Sequence, residues 1–379
     1  MTKIYIIRHA EAEGNLYRRV QGHHDGKITP RGYRQIAALA ERFRNIHMDA
    51  VYASDLSRTQ TTATAITKYH DLPIIVEPRL KEVCMGVWEN QTWGDVGRES
   101  PEQLAAFSSD PDNWHVPGSE SFAHLQDRMY GVVTELAEKH EGQTIVLVSH
   151  GMAIRALHCR VLGVPSRDVD TVPHGDNTCV SLYTWEDGRL IPEYRNDNSH
   201  LDETNSTFAH QTWWKKRTGA DNNNLRFEKL DLDRERAYYE ACYADAWKLV
   251  HGTLSGFDPN AYVYYARTHA DAPGGLVKIF SGEKTIGIVE LDLQRGAAEG
   301  YCWISFFYLD PEHREMDYGP QLLGHAVTVA RELGRNSLRL HAAECNKKAI
   351  GFYEHFGFRE IGQTMGVLGP LKQMEMMLP

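Results

Sequence analysis

The first two hundred positions alternate between short apolar runs and longer stretches in which apolar residues return every three or four positions. Ile4–Ile7 and Ile145–Val148 are β-branched and almost uncharged, the pattern of buried strands, and Ala50–Ala53 and Ile74–Val76 read as further short strands. Between the first two, Ile36, Leu39, Ala40 and Phe43 fall at helical spacing behind Pro30, with Thr29 as the expected N-cap. Further helices are predicted from about Ser57 to Tyr69, from Ser119 onward with Phe122, Leu125, Met129, Val133 and Leu136 on one face, and over Ala153–Leu162. Cys179–Trp185 and Leu190–Tyr194 flank the hairpin turn Asp187-Gly188. Strands separated by helices imply a mostly parallel sheet covered on both faces.

The pattern changes between about Asn196 and Asn224, where "NDNSHLDETNS" and "GADNNN" are turn- and linker-like; Trp213 and Trp214 predict that part of this segment packs. Beyond it come a strand and two helices, then Leu276–Phe280 and Thr285–Leu293 around the turn Ser281-Gly282-Glu283-Lys284. Trp303–Leu309 is a further strand, followed by the helix Pro320–Leu333, the strand Ser337–Ala342 and the helix Lys347–Phe356. The order of elements differs from the first half and no repeat crosses the boundary, so two domains are predicted.

Composition narrows the function classes. The chain has 379 residues, 42% hydrophobic and 24% charged, ordinary for a globular protein. A formal charge of -10 argues against a nucleic-acid partner held by bulk electrostatics. No run approaches the roughly 20 apolar residues that cross a bilayer, and the run Ile4–Ile7 is too short for a signal peptide. Cys84, Cys159, Cys179, Cys242, Cys302 and Cys345 form no CxxC pair, so a reduced, cytoplasmic protein is expected.

The chemistry starts where two of the strands stop. Ile4–Ile7 runs into Arg8-His9, and Ile145–Val148 into Ser149-His150-Gly151. Ligands bind at the carboxyl ends of strands in open α/β sheets, so two imidazoles and an arginine should share one anion pocket with a nucleophile in it.

The residues around them resemble the histidine phosphatase superfamily, in order from Lys3 to Leu201: "IIRHAEAEGN" at His9, Gln21-Gly22 with "ITPRG" after it, "SDLSRTQTTA" carrying Arg58, "LKEVCMGVWEN" carrying Glu82, and "VLVSHG" carrying His150. The resemblance implies a phosphoglycerate-mutase-like three-layer α/β/α domain over residues 1–203 that hydrolyses a small phosphorylated substrate without a metal. His9 would take the phosphoryl group, since a neutral imidazole is a competent nucleophile toward phosphorus. Arg8 and Arg58 would bind phosphoryl oxygens bidentately, and His150, if protonated, would add a donor. Glu82 is the candidate general acid for the leaving alkoxide and later the base for water. Asn15, Gln21, Gly22 and Gly151 are assigned to the substrate pocket. Ala10 and Asn90 stand where relatives carry glycine. In the mutase branch the glutamate is typically followed by Arg-His-Tyr-Gly; here Val83-Cys84-Met85-Gly86 follows and "GVWEN" resembles the phosphatase branch, so water is the expected acceptor and phosphoglycerate mutase the alternative. Substrate identity is expected in Gln91–Pro117, read as a mostly irregular insertion with Trp93 and Trp114. His23 and His24 lack a third ligand at a recognisable spacing and read as solvated loop histidines. Cys84 reads as a small buried hydrophobe.

From Leu225 the order of elements resembles the GNAT N-acetyltransferases, most clearly in "YLDPEHREMDYGPQLLGHAVTVARELG" and "LRLHAAECNKKAIGFYEHFGFREIG". That implies an α/β domain with a mixed sheet over 225–379, joined by a linker over 204–224, and an acetyl-CoA-dependent transfer to an amine acceptor. The coenzyme pyrophosphate loop would be Arg314, Glu315, Met316, Asp317, Tyr318 and Gly319, with Asn346 also on the cofactor and Tyr353 as general acid. Asp317 replaces the family's first glycine and Pro320 lacks an N–H, which motivates the alternative of a degenerate module that only binds acyl-CoA or a partner. Glu290, on a strand, is read as a solvated carboxylate or an amine contact.

Overall fold

The computed structural model describes residues 1–211 and 223–378; Trp213 and Trp214 lie outside the described residues. The chain divides into two compact units, Met1–Gly219 and Ala220–Pro379.

The first unit is built on a six-stranded sheet. In chain order its elements are β1 (Thr2–Arg8), α1 (Glu13–Tyr17), α2 (Pro30–Phe43), β2 (Ala50–Ala53), α3 (Ser57–Thr67), β3 (Ile74–Val76), α4 (Trp93–Glu99), α5 (Pro101–Ser109), α6 (Phe122–Lys139), β4 (Thr144–Ser149), α7 (Gly151–Leu162), β5 (Val180–Glu186) and β6 (Arg189–Asp197). The strand order is β3-β2-β4-β1-β5-β6; the first four are parallel, and β5 and β6 are added antiparallel.

Alternation of side chains explains why the central runs are apolar throughout. Ile4, Ile6, Ile145 and Leu147 enter the core under α6 and α7, while Ile7, Val51, Val146 and Val148 enter the opposite core with Leu39 and Phe43 of α2. Each fully buried aliphatic chain contributes about 1.5–3 kcal/mol. Thr29 caps α2 as expected, its hydroxyl accepting from the Gly32 amide at 3.0 Å. The hairpin turn also holds: Asp187 (φ 49°) and Gly188 (φ 72°) are both left-handed.

Two expectations are corrected. The long helix starts at Phe122, with Ser121 as its cap, whereas Ser119 pairs with Met85 in an isolated bridge. The insertion is not irregular, since α4 and α5 occupy much of it. Trp114 is 2% exposed and packs its ring 5.9 Å from Trp88 and 4.9 Å from Phe107. The tryptophan therefore builds a core beneath the insertion.

The second unit contains β7 (Leu225–Lys229), α8 (Arg236–His251), α9 (Pro259–Arg267), β8 (Leu276–Ser281), β9 (Lys284–Asp292), β10 (Tyr301–Leu309), α10 (Gly319–Glu332), β11 (Ser337–Ala343), α11 (Lys347–His355), β12 (Arg359–Gly366) and β13 (Gly369–Met377). Its seven-stranded sheet runs β12-β13-β11-β10-β9-β8-β7. Among the described residues of this unit only β10 and β11 pair in parallel, from Tyr301↔Ser337 to Ile304↔Leu340, and β10 shifts register against β9 between Ile304 and Phe306. The sheet is mixed.

Candidate active site

Parallel pairing of β1 with β4 puts Arg8 beside Ser149, and the His9 amide donates to the Ser149 carbonyl at 2.9 Å. The two strand-end histidines therefore leave the sheet side by side, with ring centroids 5.2 Å apart. Both are buried.

A carbonyl can only accept, so the 2.7 Å contact between His9 Nδ1 and the Ala10 oxygen fixes a proton on Nδ1. Nε2 keeps its lone pair. Burial, then Arg58, then Arg8 hold the His9 pKa well below the usual 6.5, so the ring is neutral at physiological pH. It is a neutral imidazole in a cationic setting.

Arg58 is buried, with Nη1 donating to the His24 carbonyl at 2.8 Å and Nη2 to the Gly22 carbonyl at 2.7 Å. Burial lowers its pKa to about 10, which leaves it cationic at neutral pH. Arg8 donates through Nη1 to the Gly175 carbonyl at 2.5 Å. Its guanidinium lies against the start of α7, where a Cβ on Gly151 would stand 3.2 Å from Nε. Gly151 is thus the residue that admits Arg8.

His150 is the second strand-end imidazole. Burial, Arg58 and His9 push its pKa well below 6.5, so it is neutral in the free site. Its Nε2 lies 2.8 Å from Ser54 Oγ, which lies 2.8 Å from Thr59 Oγ1. The Thr59 hydroxyl donates to the Leu56 carbonyl at 2.8 Å, so it accepts from Ser54, and Ser54 in turn accepts from His150 Nε2–H. Nδ1 is left with its lone pair.

Glu82 is half-buried at the start of α7. Oε1 accepts from the amides of Ala153 (2.9 Å) and Val83 (3.0 Å), and Oε2 from Met152 (3.1 Å). The helix that follows His150 therefore orients the carboxyl group as well. Several buried atoms have no partner among the described residues: Arg8 Nε, Arg58 Nε, His150 Nδ1, Gln21 Oε1 and Asn177 Oδ1. Orphaned buried polar atoms are rare, and their concentration here marks a site shaped for a polar ligand.

The remaining expected pocket residues divide. Gln21 lies across Gly14, where a Cβ would come within 2.1 Å of its Cγ, and its Oε1 is buried without a partner among the described residues. Asn15 spends its oxygen on the Ala12 amide (3.0 Å) and Asn177 Nδ2 (3.4 Å). Gly22, at φ 52°, serves through its carbonyl on Arg58. Asn90 keeps the left-handed turn at φ 63°, a conformation asparagine tolerates, and binds Arg19 through Oδ1.

Sequence reasoning missed Ser54 and the run Asp176-Asn177-Thr178. Asn177 Nδ2 donates to the His9 carbonyl at 2.9 Å. Asp176 accepts from Ser206 Oγ (2.6 Å) and the Phe208 amide (3.3 Å), while Thr207 bonds Glu11 and Gln211 bonds the Asn15 carbonyl. Residues read as the start of a linker thus dock on the first unit. A polar run entering a buried strand was the available signal.

In the second unit, Glu315 (φ 64°) and Asp317 (φ 56°) hold left-handed conformations, each disfavoured by about 1–2 kcal/mol for a residue with a Cβ. Asp317 is exposed and Glu315 pairs with Lys348, so neither carboxylate is buried in the loop. Gly319 is required, because a Cβ would come within 2.6 Å of Phe352. Arg314 is engaged with Asp245 and the Leu309 carbonyl, Met316 is 51% exposed and Tyr318 is buried. Asn346 caps α11, its Oδ1 accepting from the Ala349 amide at 3.1 Å. Burial raises the Tyr353 pKa, and its ring lies 5.3 Å from both Phe352 and Phe358. Glu290 is fully buried rather than solvated, accepting from Tyr239 (2.9 Å), Tyr243 (2.7 Å) and His269 (2.8 Å).

Residues 4–198 match the model of the histidine phosphatase superfamily (branch 1). The chain belongs to that family. It is 33% identical over 203 residues to phosphoserine phosphatase 1 of Hydrogenobacter thermophilus, covering 54% of this chain and 96% of the relative. It is 32% identical to a metal-independent phosphoserine phosphatase of Arabidopsis thaliana (53% and 84%), and 35% identical to a probable phosphoglycerate mutase of Yersinia pestis (44% and 77%). The solved structure of Bacillus stearothermophilus YhfR superposes with a TM-score of 0.52 at 27% identity, covering 53% of this chain and all of that one. Residues 236–358 match the acetyltransferase (GNAT) family, so a histidine phosphatase domain and a GNAT domain share one chain. The phosphatase-family unit makes this protein an enzyme.

Proposed function

We propose that the first unit hydrolyses a small phosphomonoester through a phosphohistidine on His9. The observation that carries this reading is the neutral His9 with its free Nε2, set among Arg8, Arg58 and His150. In the first step Nε2 attacks phosphorus and the P–O bond to the leaving alkoxide breaks, with the proton for that alkoxide coming from Glu82. In the second, Glu82 takes a proton from water as the water oxygen attacks phosphorus and the N–P bond breaks. Arg8 and Arg58 hold the phosphoryl oxygens throughout. The names of two relatives favour phosphoserine as the substrate. The name of the third relative favours transfer to a second hydroxyl, as in a mutase. Release of inorganic phosphate from phosphoserine and a metabolite panel, beside a phosphoglycerate isomerisation assay, separates these readings. His9→Ala is expected to abolish phosphate release and leave the fold intact; retained turnover would end the phosphohistidine mechanism.

The second unit is proposed to bind acyl-CoA at the Arg314–Gly319 loop. Support comes from a backbone that keeps left-handed turns despite acidic side chains, with Asp317 exposed and Glu315 neutralised by Lys348. Backbone amides at such a turn and at the start of α10 suit a pyrophosphate. Bound acetyl-CoA would supply the activated acyl group, and Tyr353 stands as the proton donor to the departing thiolate. Calorimetric titration of acetyl-CoA into the full chain tests binding, and an amine panel tests transfer. Binding without turnover would favour a sensor.

A further inference from the structure

Folding supplies what His23 lacked in the sequence. A ring nitrogen of His23, Cys84 Sγ and a Glu89 carboxylate oxygen all lie within 4.8 Å of one another. Each side chain is half-buried, so a cation from solvent can reach them. Cys84 Sγ is 3.6 Å from Glu89 Oε1, and that oxygen accepts from the His23 amide at 3.0 Å and the Met85 amide at 3.1 Å. Two loops distant in sequence are thereby locked around one carboxylate.

We propose that His23, Cys84 and Glu89 form an inhibitory site for a soft divalent cation of the zinc type. The donors are one imidazole nitrogen, one thiolate and one carboxylate, a set that suits Zn2+ in tetrahedral geometry with water as the fourth ligand. Thiolate and carboxylate together neutralise the ion. Binding forms an S–Zn bond and releases the Cys84 thiol proton to solvent.

The site is wired to the candidate catalytic residues, and its effect on rate rests on the phosphatase reading above. His23 Nε2 donates to the backbone carbonyl of Glu82 at 3.0 Å. Gly22, whose carbonyl holds Arg58, abuts the same carboxylate, because a Cβ there would meet Glu89 Oε1 at 2.8 Å. A cation that draws His23 and Glu89 inward therefore disturbs both Glu82 and Arg58. No metal takes part in turnover under this proposal; the ion switches it off.

The test uses the full chain, reduced and free of chelator. Added Co2+ is expected to give a thiolate-to-cobalt charge-transfer absorption that Zn2+ displaces. Cys84→Ser should remove the band and Cys345→Ser should leave it. His23→Gln should weaken binding by about tenfold or more, since even outer-shell partners are worth that much. Stoichiometric Zn2+ should slow phosphate release by about tenfold or more, reversibly with chelator, with Cys84→Ser resistant at an unchanged metal-free rate. A band that survives Cys84→Ser, the absence of any band, or binding with no change in rate would overturn the proposal. Lack of phosphatase activity before any metal is added would instead count against the phosphatase reading, and the cobalt spectrum would still decide the site.

Discussion

His150 Nε2 and Ser54 Oγ meet at 2.8 Å, buried and 96 residues apart in sequence. Through Ser54 the imidazole is tied to Thr59, on the helix that carries Arg58. Ser54→Ala removes the acceptor that fixes the ring. Turnover is expected to fall by about tenfold or more, in line with the 1.5–3 kcal/mol of a hydrogen bond to a group that becomes charged. Steady-state kinetics should show the loss mainly in kcat, and Ser54→Thr should recover part of it.

Anion binding should be coupled to proton uptake. His150 is neutral in the free site because burial, Arg58 and His9 disfavour its charged form. A bound dianion reverses the sign of that field and lets Nδ1 take a proton and donate it to the anion. Sulfate does not titrate near neutrality, so its competitive inhibition should strengthen as pH falls, approaching about tenfold per unit for one proton. Inhibition independent of pH between 8 and 6 (roughly the imidazole range) would contradict this.

Gly151 leaves room for Arg8. A Cβ would sit 3.2 Å from Arg8 Nε, and a branched side chain would intrude further. Gly151→Val is expected to displace the guanidinium and lower kcat/KM by about a hundredfold, the scale of losing one preorganised donor. Circular dichroism should be unchanged.

Acid should destabilise the first unit early. Burial lowers His158 to about 3 and His200 to about 4, and holds His9, His150 and His174 well below 6.5. The unfolded chain binds these protons at about 6.5 and the folded one does not, so the stabilisation is complete above 6.5 and is lost as pH falls toward 4. Thermal melts should show the midpoint falling by more than about 5 °C between pH 7 and pH 5, and His158→Phe should reduce the slope.

Much of the fold was legible because buried parallel strands write themselves as unbroken apolar runs. Ala50–Ala53 is buried throughout, Ile74–Val76 forms a strand at the sheet edge with Ile75 and Val76 exposed, and β8 and β9 flank the expected turn. The 91–117 segment was not legible: α4 and α5 are only seven and nine residues long and lack a continuous apolar stripe, so their periodicity is too short to register. Trp114 drew a functional reading because its partners Trp88 and Phe107 are identified only by contact. Glu290 was misjudged for the same reason, since Tyr239 and Tyr243 of α8 and His269 in the turn after α9 converge on it.

The sequence by itself determined which residues end strands in an α/β sheet, and hence that His9 and His150 leave the sheet at one edge. It also determined the order of motifs that places Arg58 and Glu82 with them. Tertiary structure decided the protonation and the company of those groups. The neutral state of both histidines follows from burial and from guanidinium groups brought close only by folding. The Glu82 carboxyl is oriented by the amides of a helix some seventy residues away. His23, a loop histidine by sequence, acquires Cys84 and Glu89 as neighbours in the same way. Periodicity reports which face of an element is buried; ionisation and ligation depend on which groups arrive at one point from separate elements, and that is a property of packing alone.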